Sequence, residues 1–317
     1  MAYCKRTYLW MTLDPVHIGT GGYRLGRVDL SITREPGTNL PKIPGTSLSG
    51  AARSYAAMRY ESLPCAGQGG HCTRPECPVC YTFGSLEVRE GEVKRAYAGT
   101  VNLFDAHLLL FPVHSMVGPV WVTCPERLRL AGLRAVNKQG EEIILEQDKI
   151  ALGSGVEAPK GQLNLGWLLL ESNGKTLTLQ GVPSEWQAEE WNAVKDRIVL
   201  VSDKLFGQIV NANLEVRTSV SINPETGAAE EGALFTHEAI PRSAFLVSDV
   251  VEDSFRKDPF HVVEKTAQGN DLADGPWECS LDVAQAGLAL IEWLGVGGMG
   301  TRGFGRMRIV RRPKEEE

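Results

Sequence analysis

The chain has 317 residues, 43% of them hydrophobic, and a formal net charge of −6. That is enough apolar material for a large core. No apolar run approaches the roughly 18 residues of a membrane-crossing helix, and the opening "MAYCKRTYLWMTLD" lacks the apolar centre of a signal peptide. A cytoplasmic protein without a membrane partner is expected. The acidic sum argues mildly against a nucleic-acid partner, but the charge is unevenly spread. Residues 1–60 carry eight Lys and Arg against Asp14, Asp29 and Glu35, and residues 302–314 are again rich in arginine. Both ends can supply a basic face to a polyanion.

Taken in chain order, "RTYLWMTLD" alternates as a first strand. A Gly/Pro-rich loop, 15–45, follows. "TSLSGAARSYAAMRYESL" reads as a helix capped by Thr46 or Ser47 after the Pro44-Gly45 break. A cysteine segment spans 65–80. "TVNLFDAHLLLFPVH" and "GPVWVTC" read as strands, and "PSEWQAEEWNAVKDRIVLVS" and "SDKLFGQIVN" as helices capped by Ser184 and Ser202, the end of the former being open to an extended reading. Residues 211–241 have strand-like arms around "NPETG" and read as a projecting β-hairpin. "SAFLVSDVV" is a strand, "SLDVAQAGLALIEWLG" a helix ending at Gly295, and "GRMRIVRR" a last strand. This succession predicts an α+β fold in a single domain over 1–317, with a sheet of the ferredoxin or RNA-recognition-motif kind and long insertions.

Four cysteines, Cys65, Cys72, Cys77 and Cys80, fall within sixteen positions, and Cys77-Pro-Val-Cys80 has the C-x-x-C spacing of a metal knuckle. Four sulfur ligands satisfy tetrahedral Zn²⁺ and leave no open position, as in a structural site. His71 is an alternative to Cys65 as fourth ligand. Free thiols or a Cys77–Cys80 redox pair are the other readings.

At the helix entrance, Thr46, Ser47 and Ser49 surround unpaired backbone N–H groups, and with Lys42 and Arg53 they can cradle a phosphate. The ordinary reading is a helix cap alone. The glycine-rich loop 295–306, "GVGGMGTRGFGR", contains neither a P-loop nor a dinucleotide fingerprint. Its Gly297, Gly298 and Gly300 allow close backbone approach, with Arg302 alongside. Asp29 sits just after Arg24 and Arg27. Either it pairs with a neighbouring arginine, or the arginines attract a phosphate backbone on which the acid acts.

The strings "HIGTGG", "PKIPGTSLSGAAR", a cysteine stretch ending in "TFGS" and "GVGGMGTRGFGR", in that order, resemble the RAMP superfamily of CRISPR effector proteins. "GRVDLSITRE", "PKIPGTSLSGAAR" and "RTSVSINPETGAAEEGALFTHEAIP" resemble more narrowly the backbone subunit of the Cmr-type, or type III-B, complex. The resemblance implies copies stacked in a filament along a CRISPR RNA guide, beside other type III subunits. The helix entrance and glycine loop would grip the guide, and the hairpin would act as a thumb that displaces a base pair at regular intervals. Asp29 matches the acid that cleaves complementary target RNA, with Mg²⁺ or another divalent cation required. His17 matches a histidine of the opening motif that orients the backbone or assists catalysis, and Glu238 in the thumb is a candidate helper. Ser49 stands where the family usually carries lysine, which leaves Lys42 and Arg53 to supply the charge. A non-catalytic RNA-binding backbone subunit and a guide-processing endoribonuclease are the alternatives.

Overall fold

The first strand, Tyr3–Thr12, sends Tyr8 and Trp10 to one side and Leu9 to the other, and all three are buried. Both faces of the strand are therefore covered, and it lies inside the sheet. The computed structural model describes residues 3–21, 28–67, 71–72, 74, 76–89, 92–146, 148–229, 234–253, 255–256 and 258–311. Six elements form the frame: strand Tyr3–Thr12, helix Gly45–Arg59, strands Ala106–Val113 and Phe245–Asp253, helix Ser280–Ala289 and strand Met307–Ile309. Their strands lie in the order Ala106–Val113, Phe245–Asp253, Tyr3–Thr12, Met307–Ile309, each antiparallel to its neighbour. This is the β-α-β-β-α-β frame of ferredoxin-like and RNA-recognition-motif folds, the expected class.

Beyond Ala106–Val113 the sheet continues through Val120–Thr123, Ile198–Leu200, Lys149–Gly153, Leu168–Gln180 and Gln162–Leu165, in a sheet of twelve strands. One apolar cluster, with Trp10, Leu48, Phe111, Phe206 and Leu288, lies on the side of the two long helices. A second, with Leu9, Leu110, Trp186, Trp191 and Phe245, covers the other face. Burial on both sides accounts for the unbroken apolar run in "AHLLLFPV". Among the described residues no helix is long and apolar enough to cross a membrane.

The two frame helices cross at Ala52 and Gly287, where a Cβ on Gly287 would lie 2.0 Å from the Ala52 carbonyl oxygen. Backbone cannot yield as a side-chain tip can, so Gly287→Ala must push the helices apart. It is expected to destabilise the protein by about 1–3 kcal/mol. An unchanged denaturant midpoint would mean that the helices do not meet this closely.

Three local expectations are corrected. The first helix begins at Gly45, with Pro44 rather than Thr46 or Ser47 in the cap position. Its capping carboxylate comes from another segment: Gly45 N–H donates to Asp105 Oδ1 at 2.8 Å. The stretch from Ser184 is not one Ser-capped helix. It divides into a short turn Ser184–Trp186, a helix Glu189–Val194, a turn Lys195–Arg197 and the buried strand Ile198–Leu200, because the β-branched run Ile-Val packs better in a sheet. The 15–45 segment is not simply loop, as the site below makes plain. Ser202 takes the cap position of Asp203–Ala212 as expected, and the last long helix is followed by a short turn that stops at Gly295, φ +76°.

Candidate functional site

The hairpin pairs Glu215–Ser219 with Phe235–Ala239 in a two-stranded sheet separate from the large one. Its root is extended by the glycine-rich segment. Leu30 bridges His237 in parallel, Ile32 bridges Gly19, and Val16 bridges Ile240. Leu30 N–H donates to the Thr236 carbonyl at 3.0 Å, Glu238 N–H to that of Leu30 at 3.2 Å, and Thr33 N–H to that of Ile18 at 2.8 Å. Isolated bridges thus tie residues 29–33 to the hairpin and residues 16–20 to them and to Ile240.

That pairing fixes Asp29. Its Oδ2 accepts hydrogen bonds from Thr236 N–H at 2.7 Å and from the Thr236 hydroxyl at 2.9 Å. Asp29 N–H returns a bond to the Thr236 hydroxyl at 3.1 Å. The Thr236 amide and hydroxyl hold the carboxyl below the usual carboxylate range. Arg24 and Arg27, the neighbours that raised the ion-pair reading, lie outside the described residues. Arg34 does not pair with Asp29. Its guanidinium forks onto Glu238, at 2.6 and 2.8 Å, while Glu238 Oε1 also accepts from Ile32 N–H at 2.9 Å. Glu238 therefore locks the segment to the hairpin, with both oxygens engaged.

His17 is buried, and its Nδ1 faces the Glu238 carbonyl at 2.7 Å. A carbonyl only accepts, so Nδ1 carries the proton and Nε2 is the basic nitrogen. His17 and Asp29 are thus anchored by residues two apart on one strand, Glu238 and Thr236. The glycine loop closes on this region. Gly298 N–H donates to the His17 carbonyl at 3.0 Å, and Gly305 N–H to that of Pro15 at 2.9 Å. A Cβ on Gly297, φ +86°, would lie 2.5 Å from the His17 oxygen. The close backbone approach that its glycines permit is, at Gly297 and Gly298, an approach to residue 17. Gly297, Gly298, Gly300 and Arg302 remain exposed.

At the helix entrance Thr46 is exposed and Ser47 and Ser49 are half-buried. Lys42 pairs with Asp105 at 2.5 Å. Asp105 thus opposes both the lysine charge and the helix dipole that a phosphate would use. Arg53 reaches the other way, donating to the Cys65 carbonyl at 2.8 Å and lying 2.8 Å from His71 Nδ1.

The sulfur atoms of Cys65, Cys72, Cys77 and Cys80 all lie within 4.8 Å of one another. Cys65 and Cys77 are 3.6 Å apart, Cys72 and Cys80 3.9 Å. Cys77 precedes the short helix Pro78–Phe83, which carries Cys80, and Cys65 lies in the turn Leu63–Ala66. Trp277, Val283 and Ala286 pack around them. Such a closed set of four sulfurs suits a tetrahedral thiophilic ion.

The model of the RAMP superfamily matches residues 11–308. The chain belongs to the RAMP superfamily. A curated relative, the CRISPR system Cmr endoribonuclease Cmr4 of Pyrococcus furiosus, is 29% identical over 310 residues, 94% of this chain and 92% of the relative. The CRISPR system Cms endoribonuclease Csm3 of Methanothermobacter thermautotrophicus matches 72 residues at 36% identity, 22% of this chain and 28% of that one. Among solved structures, a subunit of the type III-B Cmr-beta complex bound to cognate target RNA superposes with a TM-score of 0.64 at 15% identity, covering 98% of each chain. Oligomeric Cmr4 from Pyrococcus furiosus gives 0.56 at 19% identity, covering 98% of this chain and 99% of that one.

Two supports of this RAMP site have no local sequence signal. Thr236 holds an acid 207 positions away. Glu35, just past Arg34, is gripped by Arg127 at 2.9 and 3.2 Å and faces His107 Nδ1 at 2.7 Å. Burial opposes ionisation of Glu35, but the bonds from His107, Thr38 and Arg127 outweigh it and hold its pKa at about 2, against 4.5 unperturbed. Because the folded value is depressed, its stabilisation is complete above pH 4.5 and is lost as pH falls towards 2. Glu35→Gln should therefore melt below wild type at pH 6, with the gap closing through that window. A gap independent of pH would rule out the ionised pair.

Proposed function

We propose that this protein is a repeated backbone subunit of a type III CRISPR ribonucleoprotein. It binds the CRISPR RNA guide, stacks with copies of itself and with other subunits, and cleaves complementary target RNA at regular intervals. Sequence likeness over nearly the whole chain to a Cmr endoribonuclease supports the class. The observation that carries the reading is Asp29, held ionised by Thr236 at the root of the hairpin.

The reaction is displacement at phosphorus. A ribose 2′-oxygen attacks the phosphorus of its own 3′-phosphodiester and gives its proton to solvent, while the bond to the 5′-oxygen breaks and that oxygen takes a proton from solvent to leave as a hydroxyl. Splaying of the RNA by the hairpin brings the attacking oxygen in line, which supplies much of the acceleration. A carboxylate with a lowered pKa is a weak proton acceptor at neutral pH, so Asp29 acts by orientation and charge. With RNA phosphate oxygens it can hold one Mg²⁺, a hard cation that takes one or two carboxylates beside substrate phosphates; bound there, the ion would neutralise charge developing on the phosphoryl oxygens. His17, fixed through Nδ1, keeps the glycine loop and hairpin in register and presents Nε2 as the basic nitrogen. Glu238, paired with Arg34, positions rather than reacts. The exposed Thr46, the flanking Ser47 and Ser49, and the loop of Gly297, Gly298, Gly300 and Arg302 face the guide, with Lys42 and Arg53 behind them. Cys65, Cys72, Cys77 and Cys80 hold a structural Zn²⁺.

The test is reconstitution with a guide and an end-labelled complementary RNA in Mg²⁺. Evenly spaced products are expected. Tight binding of both strands without products would leave a structural backbone subunit. Cutting of the guide precursor instead would indicate a processing enzyme.

A further inference from the structure

On the strand Phe235–Ala239, Thr236 faces Asp29 while Phe235 and His237 point the opposite way. There they form a ring cluster that the reaction above does not use. His237 lies 5.2 Å from Phe304, 6.0 Å from Phe235 and 6.1 Å, edge-on, from His17, between ring centroids. It is 2% exposed, yet neither ring nitrogen has a hydrogen-bond partner among the described residues. A buried imidazole without partners is costly and calls for an explanation. Burial first, then His17, Arg217 and Arg302, push its pKa down, so the ring is neutral and offers one donor and one acceptor.

Two cations cover the cluster. Arg217 lies 4.9 Å over the Phe304 ring and Arg302 5.8 Å over the Phe235 ring. Both residues are exposed, and Arg217 Nε also donates to Glu215 Oε1 at 2.6 Å. Arg302 sits in the turn Gly300–Arg302, between Met299 and Gly303 in left-handed conformation, and its contact is near the outer limit for an attraction of this kind, so little holds it in place. Aromatic faces, planar cations and one unsatisfied donor–acceptor group match a single chemistry. A base can stack on the half-buried Phe235 ring and the guanidiniums, phosphate pairs with the cations, and a ribose hydroxyl or base edge meets the imidazole once Arg302 swings aside.

We propose that Phe235, His237 and Phe304, under Arg217 and Arg302, form a pocket for one RNA nucleotide, with the His237 imidazole bonding its ribose hydroxyl or base edge. The pocket rests on the reading of the protein as an RNA-binding backbone subunit. Its occupant comes from the guide or from the target strand, and the experiment separates these.

The decisive variant is His237→Phe, which keeps a ring and deletes both nitrogens. Guide affinity of the assembled complex, target affinity of the guide-loaded complex and thermal midpoint are measured together. If His237 were only a buried ring, Phe would leave RNA affinity unchanged and the midpoint equal or higher. The pocket predicts about tenfold weaker binding in one arm, with the midpoint held or raised. Loss in the first arm assigns the guide, and loss in the second the target. Should His237→Phe fail to fold, Arg217→Gln decides, because Arg217 is exposed over the Phe304 ring and has no part in the guide-facing loop; about three- to tenfold weakening is expected. Unaltered affinities in both arms, in a complex whose wild type binds and cuts RNA, overturn the pocket. A wild-type complex that binds no RNA overturns the underlying reading instead.

Discussion

Asp29→Asn in the assembled ribonucleoprotein is expected to slow target cleavage by about 10²- to 10⁴-fold, the range for loss of a group acting at the reacting centre, with guide and target affinities within about twofold of wild type. Asparagine keeps the shape of the side chain and an oxygen that can still accept from the Thr236 amide and hydroxyl, which reach Asp29 Oδ2 at 2.7 and 2.9 Å. What it removes is the charge. The segment should stay zipped to the hairpin through Leu30 and Glu238, so the loss reports on chemistry and not on folding. Thr236→Val separates orientation from charge. It deletes both bonds through the hydroxyl and leaves the Thr236 amide on Oδ2, and about a tenfold loss is expected, since one of the two bonds to the carboxylate survives. Regular products at the wild-type rate from Asp29→Asn would move the reaction to another group.

Removal of the metal should give the second large effect. Purified protein is expected to carry about one zinc per chain, and Cys77→Ser to carry none, with the thermal midpoint lowered by about 5 °C or more. Cys77 is buried against the cluster that contains Trp277 and Val283, and Val283 belongs to the Ser280–Ala289 helix of the frame. Loss of the ion therefore loosens a segment packed on the frame. The two larger apolar clusters do not include these cysteines, so the sheet should persist. Arg53, which bonds the Cys65 carbonyl, loses its anchor in the same variant. Metal-free protein with an unchanged midpoint would refute the site.

The sequence carried what local chemistry dictates. Pro44-Gly45 marked the start of the first helix, the turn "NPETG" the hairpin, and the cysteine spacing a set of sulfurs that do come together. Its failures involve partners distant along the chain. Thr46 and Ser47 have the side chains of a cap, but Asp105, sixty residues on, fills the role, because a strand end delivers its carboxylate to Gly45 N–H. A glycine is needed there because a Cβ would sit 2.2 Å from the Leu103 carbonyl oxygen. Arg53 had the charge expected of a phosphate ligand, and its position on the helix turned it to the cysteine segment. The strands Lys149–Gly153 and Leu168–Gln180 carry no clear period-2 signal. The second mixes charged, glycine and apolar residues with no clean alternation, and it is shaped by a register shift between Ser172 and Thr176.

Because Leu30 is bridged to His237 and hydrogen-bonded to the strand Phe235–Ala239, the segment that carries Asp29 and the hairpin form one piece. An acid on a free loop could reach several bonds and would leave ragged ends. Under the proposed reaction any tilt of the hairpin would carry the carboxylate with it, and the cut would fall at a fixed offset from wherever the RNA is splayed. Lengthening the tip beyond Ser219 and Phe235 would change how far the wedge reaches without changing where the cut falls. The phase of the product ladder would then be set only by how one copy is seated on the next.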